Sequence, residues 1–458
     1  MRASQRAKPV WKTEIKPVWK TDIMAKELEA YTDSQGAKPM GSRTMFRRSF
    51  IAAALALLTG IMFAASAAIA AEPIKIGFSM PLTGGLASNG KAILAAYQMW
   101  EEDINAKGGL LGRPVKLIYY DDQSNPSLVP AIYAKLFDID KIDLVFTSYG
   151  TNLSVPSMPV VIPRNYVLLG LFALAVNSEF NYPYYFSMFP AGPDAVREFS
   201  RGYFEIAKEQ KLQTVAIAGA DSDFAKKAAD GARENATKMG FKIVYDRSYP
   251  PNTVDFAPIV RGIQASDPDF VYIASYPTET VGIARAANEI GLKTKLFGGG
   301  MVGLQYASIK SQLGELLNRI VDYDFYVPEP TVPFKGIEGF LARYQAKAAS
   351  IGADLLGYFI PPFAYANGQV VEQAVAAVGS LDQRKLGDYL KAHSFDTIVG
   401  KIEYAPNGEW KNPRVLWVQY QNVKGSGLDQ FKKAGTQVII YPKELASGEL
   451  QSPYSVGR

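Results

Sequence analysis

Residues 74–122 read IKIGFSMPLTGGLASNGKAILAAYQMWEEDINAKGGLLGRPVKLIYYDD, one complete strand, glycine turn, helix and second strand. Ile74, Ile76 and Phe78 alternate with Lys75 and Gly77, the period of a strand, and Pro81-Leu82-Thr83-Gly84-Gly85 breaks it. Ile93, Tyr97, Trp100 and Ile104 then fall four, three and four apart, so they share one apolar stripe of a helix. Ser88 or Asn89 is expected to cap that helix, and Gly108-Gly109 to end it in the left-handed conformation that glycine takes without strain. Val115 to Tyr120 follows as the next strand.

The same unit allows a chemical reading. A helix leaves its first backbone N–H groups unpaired, and the loop Gly84 to Asn89 brings small and polar residues to that end, where an anionic group can be received. The alternative is a tight crossover whose glycines only satisfy geometry, and spacing alone leaves both open.

Composition bounds the classes. At 458 residues, 48% of them apolar, the chain is long enough for two or more globular domains. Cysteine is absent, which excludes disulfides, thiolate metal sites, cysteine nucleophiles and a lipid anchor on cysteine. The single histidine, His393, reads as a structural or surface residue, and no cluster of three or four metal ligands stands out. The net charge of +5 is misleading. Residues 1–71 hold 11 Lys and Arg against 5 Asp and Glu, leaving 38 against 39 for the rest. A neutral body has no basic patch of the sort nucleic acid requires.

Met45 opens an export signal: Arg47 and Arg48 form its positive end, Phe50 to Ala64 its apolar run, and Ala68-Ile69-Ala70 its cleavage site. A membrane anchor is the alternative, because the uncharged stretch is nearly long enough to span. Arg47-Arg48-Ser49-Phe50-Ile51 also resembles a twin-arginine motif, although Phe46 stands where that motif prefers a hydroxyl. Before Met45, KPVWKTEI at Lys8–Ile15 repeats as KPVWKTDI at Lys16–Ile23 in a polar, aperiodic segment, which reads as disordered or as translation assigned too far upstream.

After residue 122 the alternation continues. A helix is expected from Pro126 with Ile132 and Leu136 inward, then strands at Asp143–Thr147 and Val167–Gly170. Beyond Pro190-Ala191-Gly192-Pro193 come a helix at Asp194–Lys208, a strand at Thr214–Ala218, a helix at Phe224–Met239 and a strand at Lys242–Tyr249. A strand at Phe270–Ala274, a helix at Thr278–Ile290 and a short strand at Lys295–Phe297 continue the series, with later helices at Phe334–Ser350, Phe363–Val378 and Asp382–Ala392. Repeated strand–helix units imply an α/β fold of parallel sheets with helices on both faces.

PLTGG, INAKGGLLGRPVKLIYYDDQSNP, DFVYIASYPTETVGIARAANEIGLKTK and YPKELASGE together resemble the branched-chain amino acid type of periplasmic solute-binding protein, from about Glu72 to the end. The resemblance implies two doubly wound lobes joined by a three-strand hinge, with residues 72–190 plus 328–417 in the first lobe and 191–327 plus 418–458 in the second, after an extension at 1–44 and a signal at 45–70. It implies a soluble periplasmic protein with no cofactor and no catalysis, expected as a monomer, whose partners are a small-molecule ligand and the permease and ATPase subunits of an inner-membrane importer.

The remaining motifs are weaker. Gly298-Gly299-Gly300-Met301-Val302-Gly303 has G-x-G-x-x-G spacing, with Asp322 at roughly the distance of a ribose-binding acid, but Asp322 reads equally as a surface carboxylate. The resemblance makes this run a loop facing a ligand cleft. Asp121-Asp122 reads as capping a turn through Ser124 and Asn125. No nucleophile elbow is present. Open parallel sheets meet ligands at the loops after strands, and there stand Tyr149, Gly150 and Thr151, then Phe172, Ala173 and Leu174, then Phe224 and Tyr276. With Ser88, Asn89 and Gly300 these are the expected ligand-binding residues. The resemblance makes Thr151 a hydroxyl donor and Phe224 and Tyr276 aromatic walls, while Gly150 and Leu174 stand where amino acid binders have hydroxyls and Gly300 where they have the acid for the ammonium. Glu279 could replace that acid, although a first-turn helix glutamate more often faces solvent. The expected ligand is therefore a small carboxylate, aromatic or otherwise planar, or an amide. An amino acid ligand and a secreted hydrolase on the same fold are the alternatives.

The signal reading has a direct consequence: mature protein starts at Ala71 or Glu72. N-terminal sequencing of exported protein checks this, and retention of Trp11 or Trp19 would contradict it.

Overall fold

The computed structural model describes residues 71–251, 253–332 and 334–454, so the export segment and everything before it lie outside the described residues. The opening unit forms as expected. β1 (Ile74–Met80), α1 (Ala87–Ala106) and β2 (Val115–Asp121) make one crossover, with the strands parallel from Ile74 opposite Val115 to Met80 opposite Asp121. Gly108 and Gly109 end α1 with positive φ. The expected cap is corrected: α1 begins at Ala87, ahead of Ser88 and Asn89, and the Leu86 N–H donates to Ser124 Oγ at 3.0 Å. The cap comes from the loop after β2, a tertiary contact.

α2 (Val129–Asp138), β3 (Leu144–Tyr149), β4 (Leu168–Leu171) and β5 (Tyr185–Ser187) complete a parallel sheet in the order β2-β1-β3-β4-β5. A 3-10 turn at Pro126–Leu128 precedes α2, which buries Tyr133 and Leu136 and leaves Ile132 half-buried. The chain then leaves this sheet. α3 (Ala195–Glu209), β6 (Thr214–Ala220), α4 (Asp223–Met239), β7 (Lys242–Tyr249), α5 (Ala257–Ala265), β8 (Phe270–Ser275), α6 (Pro277–Ile290), β9 (Leu296–Met301), α7 (Ala307–Leu313) and β10 (Ile320–Asp324) build the second lobe. α8 (Ile337–Ile351), α9 (Pro361–Val378), α10 (Gln383–Ala392) and the hairpin β11 (Ser394–Thr397) and β12 (Gly400–Glu403) come next, with α8 and α9 packed on α1. β13 (Leu416–Tyr420) and β14 (Gln437–Tyr441) return to the second sheet, antiparallel, in the order β14-β13-β10-β9-β8-β6-β7.

Three departures concern the second sheet. β10 was not anticipated, and β13 joins it at Leu416, so the last passage between lobes precedes Val418. Gly298-Gly299-Gly300 is no loop but the interior of β9, Gly298 and Gly299 paired on both sides and Gly300 with β8. A Cβ at Gly298 would stand 1.7 Å from the Val321 carbonyl oxygen, so the glycines let three strands lie together, a packing role. Asp322 is fully buried rather than exposed, and it accepts from Met301 N–H at 3.1 Å and Gln305 Nε2 at 2.7 Å.

The chain passes between lobes three times, after β5, after β10 and before β13, and aromatic rings hold each passage. Phe172 packs against Phe189 of the first passage at 5.7 Å, Phe325 of the second at 5.2 Å, and Phe359 and Phe363 at 5.1 and 5.3 Å. Trp410 of the third lies 6.2 Å from Phe363.

Within the second lobe, α3 and α4 cross at Gly231, where a Cβ would fall 2.0 Å from the Val196 carbonyl oxygen. Gly231→Ala gains up to about 1 kcal/mol of helix propensity, but the backbone contact forces the helices apart at a cost of roughly 1–3 kcal/mol. Thermal unfolding is expected to show a lower Tm for the variant; an unchanged or raised Tm would contradict this packing.

Candidate functional site

The loops that leave the carboxyl ends of the strands in both lobes meet across a cleft. Two adjoining cavities lie along it. One, of about 420 Å³, is lined by Leu86, Ser124 and Asn152 from the first lobe and Ser222, Tyr276 and Glu279 from the second, among others. The other, of about 510 Å³, has Ser88 and Asn89 on one side and Phe256, Thr278, Arg285 and Tyr306 among those opposite. Gly85, Thr253, Val254, Pro277 and Thr278 border both.

The larger cavity is electropositive by construction. α1 enters it from one lobe at Ser88 and Asn89, α6 from the other at Pro277 and Thr278. Both helices therefore present their amino-terminal ends, each equivalent to roughly half a positive charge, that of α6 offset in part by Glu279, which accepts from the Tyr276 N–H. The Ser88 and Asn89 backbone N–H groups meet no acceptor among the described residues. Arg285 adds a full charge, and no aspartate or glutamate lines this cavity.

Polar bridges tie the lobes beside it. Asn89 Nδ2 donates to the Tyr306 hydroxyl, which lies 3.2 Å from the Tyr149 hydroxyl. Burial pushes the Tyr149 phenol up to about 12 and Tyr306 well above the ordinary value, so both stay protonated. The Phe224 N–H donates to Asn152 Oδ1 at 3.0 Å, and the Ala307 N–H to Asp354 Oδ1 at 2.6 Å.

The expected site residues divide into two groups. Ser88, Asn89 and Tyr276 line the cavities; Tyr149 and Gly150 stand beside them, Gly150 facing the Tyr276 hydroxyl, which lies 3.6 Å from where a Cβ would be. Phe224 packs on Tyr276 at 5.4 Å. The others are set deeper. Thr151 Oγ1 accepts from the Leu174 N–H at 2.9 Å, and both residues are buried. Phe172, with φ 51, belongs to the aromatic cluster at the passages, and Ala173 packs with Leu153, Val176 and Tyr185 in the smaller apolar cluster of the first lobe. A side chain at Gly300 would meet Phe199 at 3.0 Å and Tyr272 at 3.1 Å, so aromatic rings fill the space beside it.

Of the two readings of Glu279 the structure takes the inward one: it is buried, and Oε2 accepts from the Tyr276 N–H at 2.9 Å. Burial raises its pKa despite that bond. Asp121 and Asp122 hold turns as expected, Asp122 through Ser124 N–H at 3.0 Å and Asp121 through Leu82, Thr83 and Gln123. His393 stacks on Tyr389 with ring centroids 3.9 Å apart. Among the described residues no group of three or more His, Cys, Asp or Glu is placed to hold a metal ion, and no helix is long and apolar enough to cross a membrane. Asn152 belongs to the loop after β3 that was expected at the cleft, while Tyr306 and Arg285 were missed. They carry no local signal, because only the approach of the lobes makes them neighbours.

Residues 73–422 match the sequence profile of a family described as periplasmic binding protein. The chain is 26% identical to an amino acid binding protein of Pseudomonas aeruginosa, across 81% of this chain and 95% of that one. Among solved structures, its fold is similar to the branched-chain amino acid transporter substrate-binding protein of Streptococcus pneumoniae in complex with isoleucine, with TM-score 0.66, 19% identity and coverage of 81% and 100%. It is equally similar to an R. palustris ABC transporter solute-binding protein in complex with benzoate, with TM-score 0.66, 17% identity and coverage of 80% and 95%.

One buried acid at the third passage makes stability depend on pH. Glu409 is 3% exposed, and neither carboxylate oxygen has a hydrogen-bond partner. Burial pushes its pKa up to about 8, offset only in part by the nearby Ser187 hydroxyl, short of hydrogen-bond geometry, and the Lys227 charge. An acid with a raised folded-state pKa binds more protons native than unfolded between the two values, so its contribution is present at low pH and is lost as pH rises from about 4.5 to about 8. Glu409→Gln is expected to flatten that fall by on the order of a few kcal/mol, measured as denaturant midpoints at pH 5 and pH 8. Parallel pH profiles for the two proteins would contradict it.

Proposed function

The chain belongs to the periplasmic binding protein family, as its resemblance to the branched-chain amino acid type implied, and from that premise we propose that it captures a small carboxylate with an aromatic or other planar apolar body and delivers it to an ABC importer. The observation that carries this reading is the charge of the 510 Å³ cavity: two helix amino termini and Arg285, with no carboxylate among its lining residues. A carboxylate there is met by the Ser88 and Asn89 N–H groups and by Arg285, an arrangement that favours an anion on both dipole and charge grounds. Phe256, Val281, Ile309 and the Tyr306 ring offer the apolar wall for its body.

An α-ammonium fares worse. Buried without a paired acid it pays a desolvation cost that nothing in this cavity offsets, and Phe199 and Tyr272 leave no room for an acid at Gly300. One observation favours an amino acid ligand instead: Glu279 lines the adjoining cavity, although one of its oxygens is engaged by Tyr276. In either reading the protein performs no chemistry. Both lobes touch the ligand only when they are together, so ligand favours the closed form, which is the form the permease subunits recognise.

A thermal-shift panel separates the readings. A ligand at a hundredfold excess over Kd stabilises by about 2.7 kcal/mol, so benzoate and related acids are expected to raise the Tm while leucine, isoleucine and valine leave it unchanged. Stabilisation by the amino acids alone would overturn the proposal in favour of the second reading, and turnover of benzamide by pure protein would overturn both in favour of a hydrolase.

A further inference from the structure

Tyr306 lies outside every loop that the sequence pointed to, yet its hydroxyl is one of the points at which the two lobes meet. It stands on the loop between β9 and α7, is 3% exposed, and its ring packs on Phe359 at 5.8 Å. From the other lobe it receives a hydrogen bond from Asn89 Nδ2 and shares one with the Tyr149 hydroxyl. Asn89 and Tyr306 both line the 510 Å³ cavity.

Counting hydrogens in this trio gives a surplus. An asparagine amide offers two N–H donors and each phenol one O–H, and the two bonds of full hydrogen-bond geometry use two of those four. Asn89 also lies near the Tyr149 hydroxyl, short of that geometry, where it works against the rise of that phenol's pKa. No other acceptor among the described residues takes the remainder. Turning the Asn89 amide over does not change the sum: its oxygen then accepts from Tyr306, and both N–H donors are freed. A buried group with donors in excess is costly unless an acceptor arrives. Both phenols stay protonated at neutral pH, so the surplus persists there.

We propose that Tyr306 is a specificity-determining residue: with Asn89 and Tyr149 it forms a donor site, complete only when the lobes meet, that receives a carboxylate oxygen of the ligand. This rests on the carboxylate reading above. Anionic acceptors gain most from such donors, since hydrogen bonds to charged groups are roughly twice as strong as neutral ones. The trio therefore selects an acid over its neutral amide. Tyr306 contributes from the second lobe, so the selection operates in the closed form.

The test uses the full mature chain, with benzoate and benzamide as probes and calorimetric titration as readout. Tyr306→Phe keeps the ring on Phe359 and removes one donor. It is expected to weaken benzoate binding about tenfold or more while changing benzamide binding less than threefold, with the Tm of the protein alone little altered. Equal weakening of both probes would mean that Tyr306 only helps the lobes meet, and overturns the proposal; unchanged benzoate binding also overturns it. Tyr149→Phe removes a donor of the same trio from the other lobe and is expected to show the same selective loss, which keeps the proposal testable if the first variant folds poorly. Failure of the wild-type protein to bind benzoate overturns the carboxylate reading itself, and is seen before any variant is made.

Discussion

Five phenylalanines hold this molecule in the arrangement that gives it a cleft. Phe172 touches Phe189, Phe325, Phe359 and Phe363 at ring distances of 5.1–5.7 Å, and the first two of those partners lie on separate passages of the chain between lobes. Each aromatic pair is worth roughly 0.5–1.5 kcal/mol beyond the area it buries. The cluster sits where the first two passages begin, so its packing fixes both of them against the first lobe. Phe172 itself has positive φ, a conformation that a bulky residue keeps only where its surroundings hold it.

What the cluster positions is an electrostatic arrangement that neither lobe has alone. In a parallel α/β sheet every right-handed crossover sends a helix away from the carboxyl end of a strand, so helix amino termini collect at that edge. Two such edges face each other here. α1 and α6, from opposite lobes, both begin at the 510 Å³ cavity, the α6 end partly offset by the Glu279 carboxylate on its N-cap N–H. The proposed affinity for a negative group rests on this geometry.

Buried charges elsewhere, around Lys310 of the second lobe, are handled differently. Lys310 is fully buried, donates to Gln305 O at 3.0 Å and also to Gln437 Oε1, and has Asp324, Asp354 and Asp322 around it. Burial raises all three carboxyls, Asp324 to about 6, and lowers the lysine to about 8. Asp354 also accepts from the Ala307 N–H at the start of α7 and from the Gly357 N–H, both at 2.6 Å. Each of these groups has partners within the protein. The Ser88 and Asn89 N–H groups of the cavity lack them, and the proposal that the cavity receives a ligand rests on that contrast.

The strand and helix pattern of the first 49 residues from Ile74 to Asp122, the neutral body, the absence of cysteine chemistry and the alternation that makes parallel sheets were all legible in the sequence, because they depend on residues close together in the chain. So were Asn89, Tyr149 and Tyr276 as residues near a cleft, since loops after parallel strands have a fixed place relative to the sheet. Tertiary structure alone decided the rest. Gly298 to Gly300 has the spacing of a phosphate loop but became the middle of β9, because a β10 that local pattern did not reveal pairs against it. Glu279 turned inward to bind the Tyr276 N–H, and Ser124, not Ser88 or Asn89, capped α1. Arg285 and Tyr306 reached the cavity only through the approach of a second lobe. Local periodicity records which face of an element is buried; it carries no record of which distant segment covers that face, and the composition of a site between two lobes is a fact of that second kind.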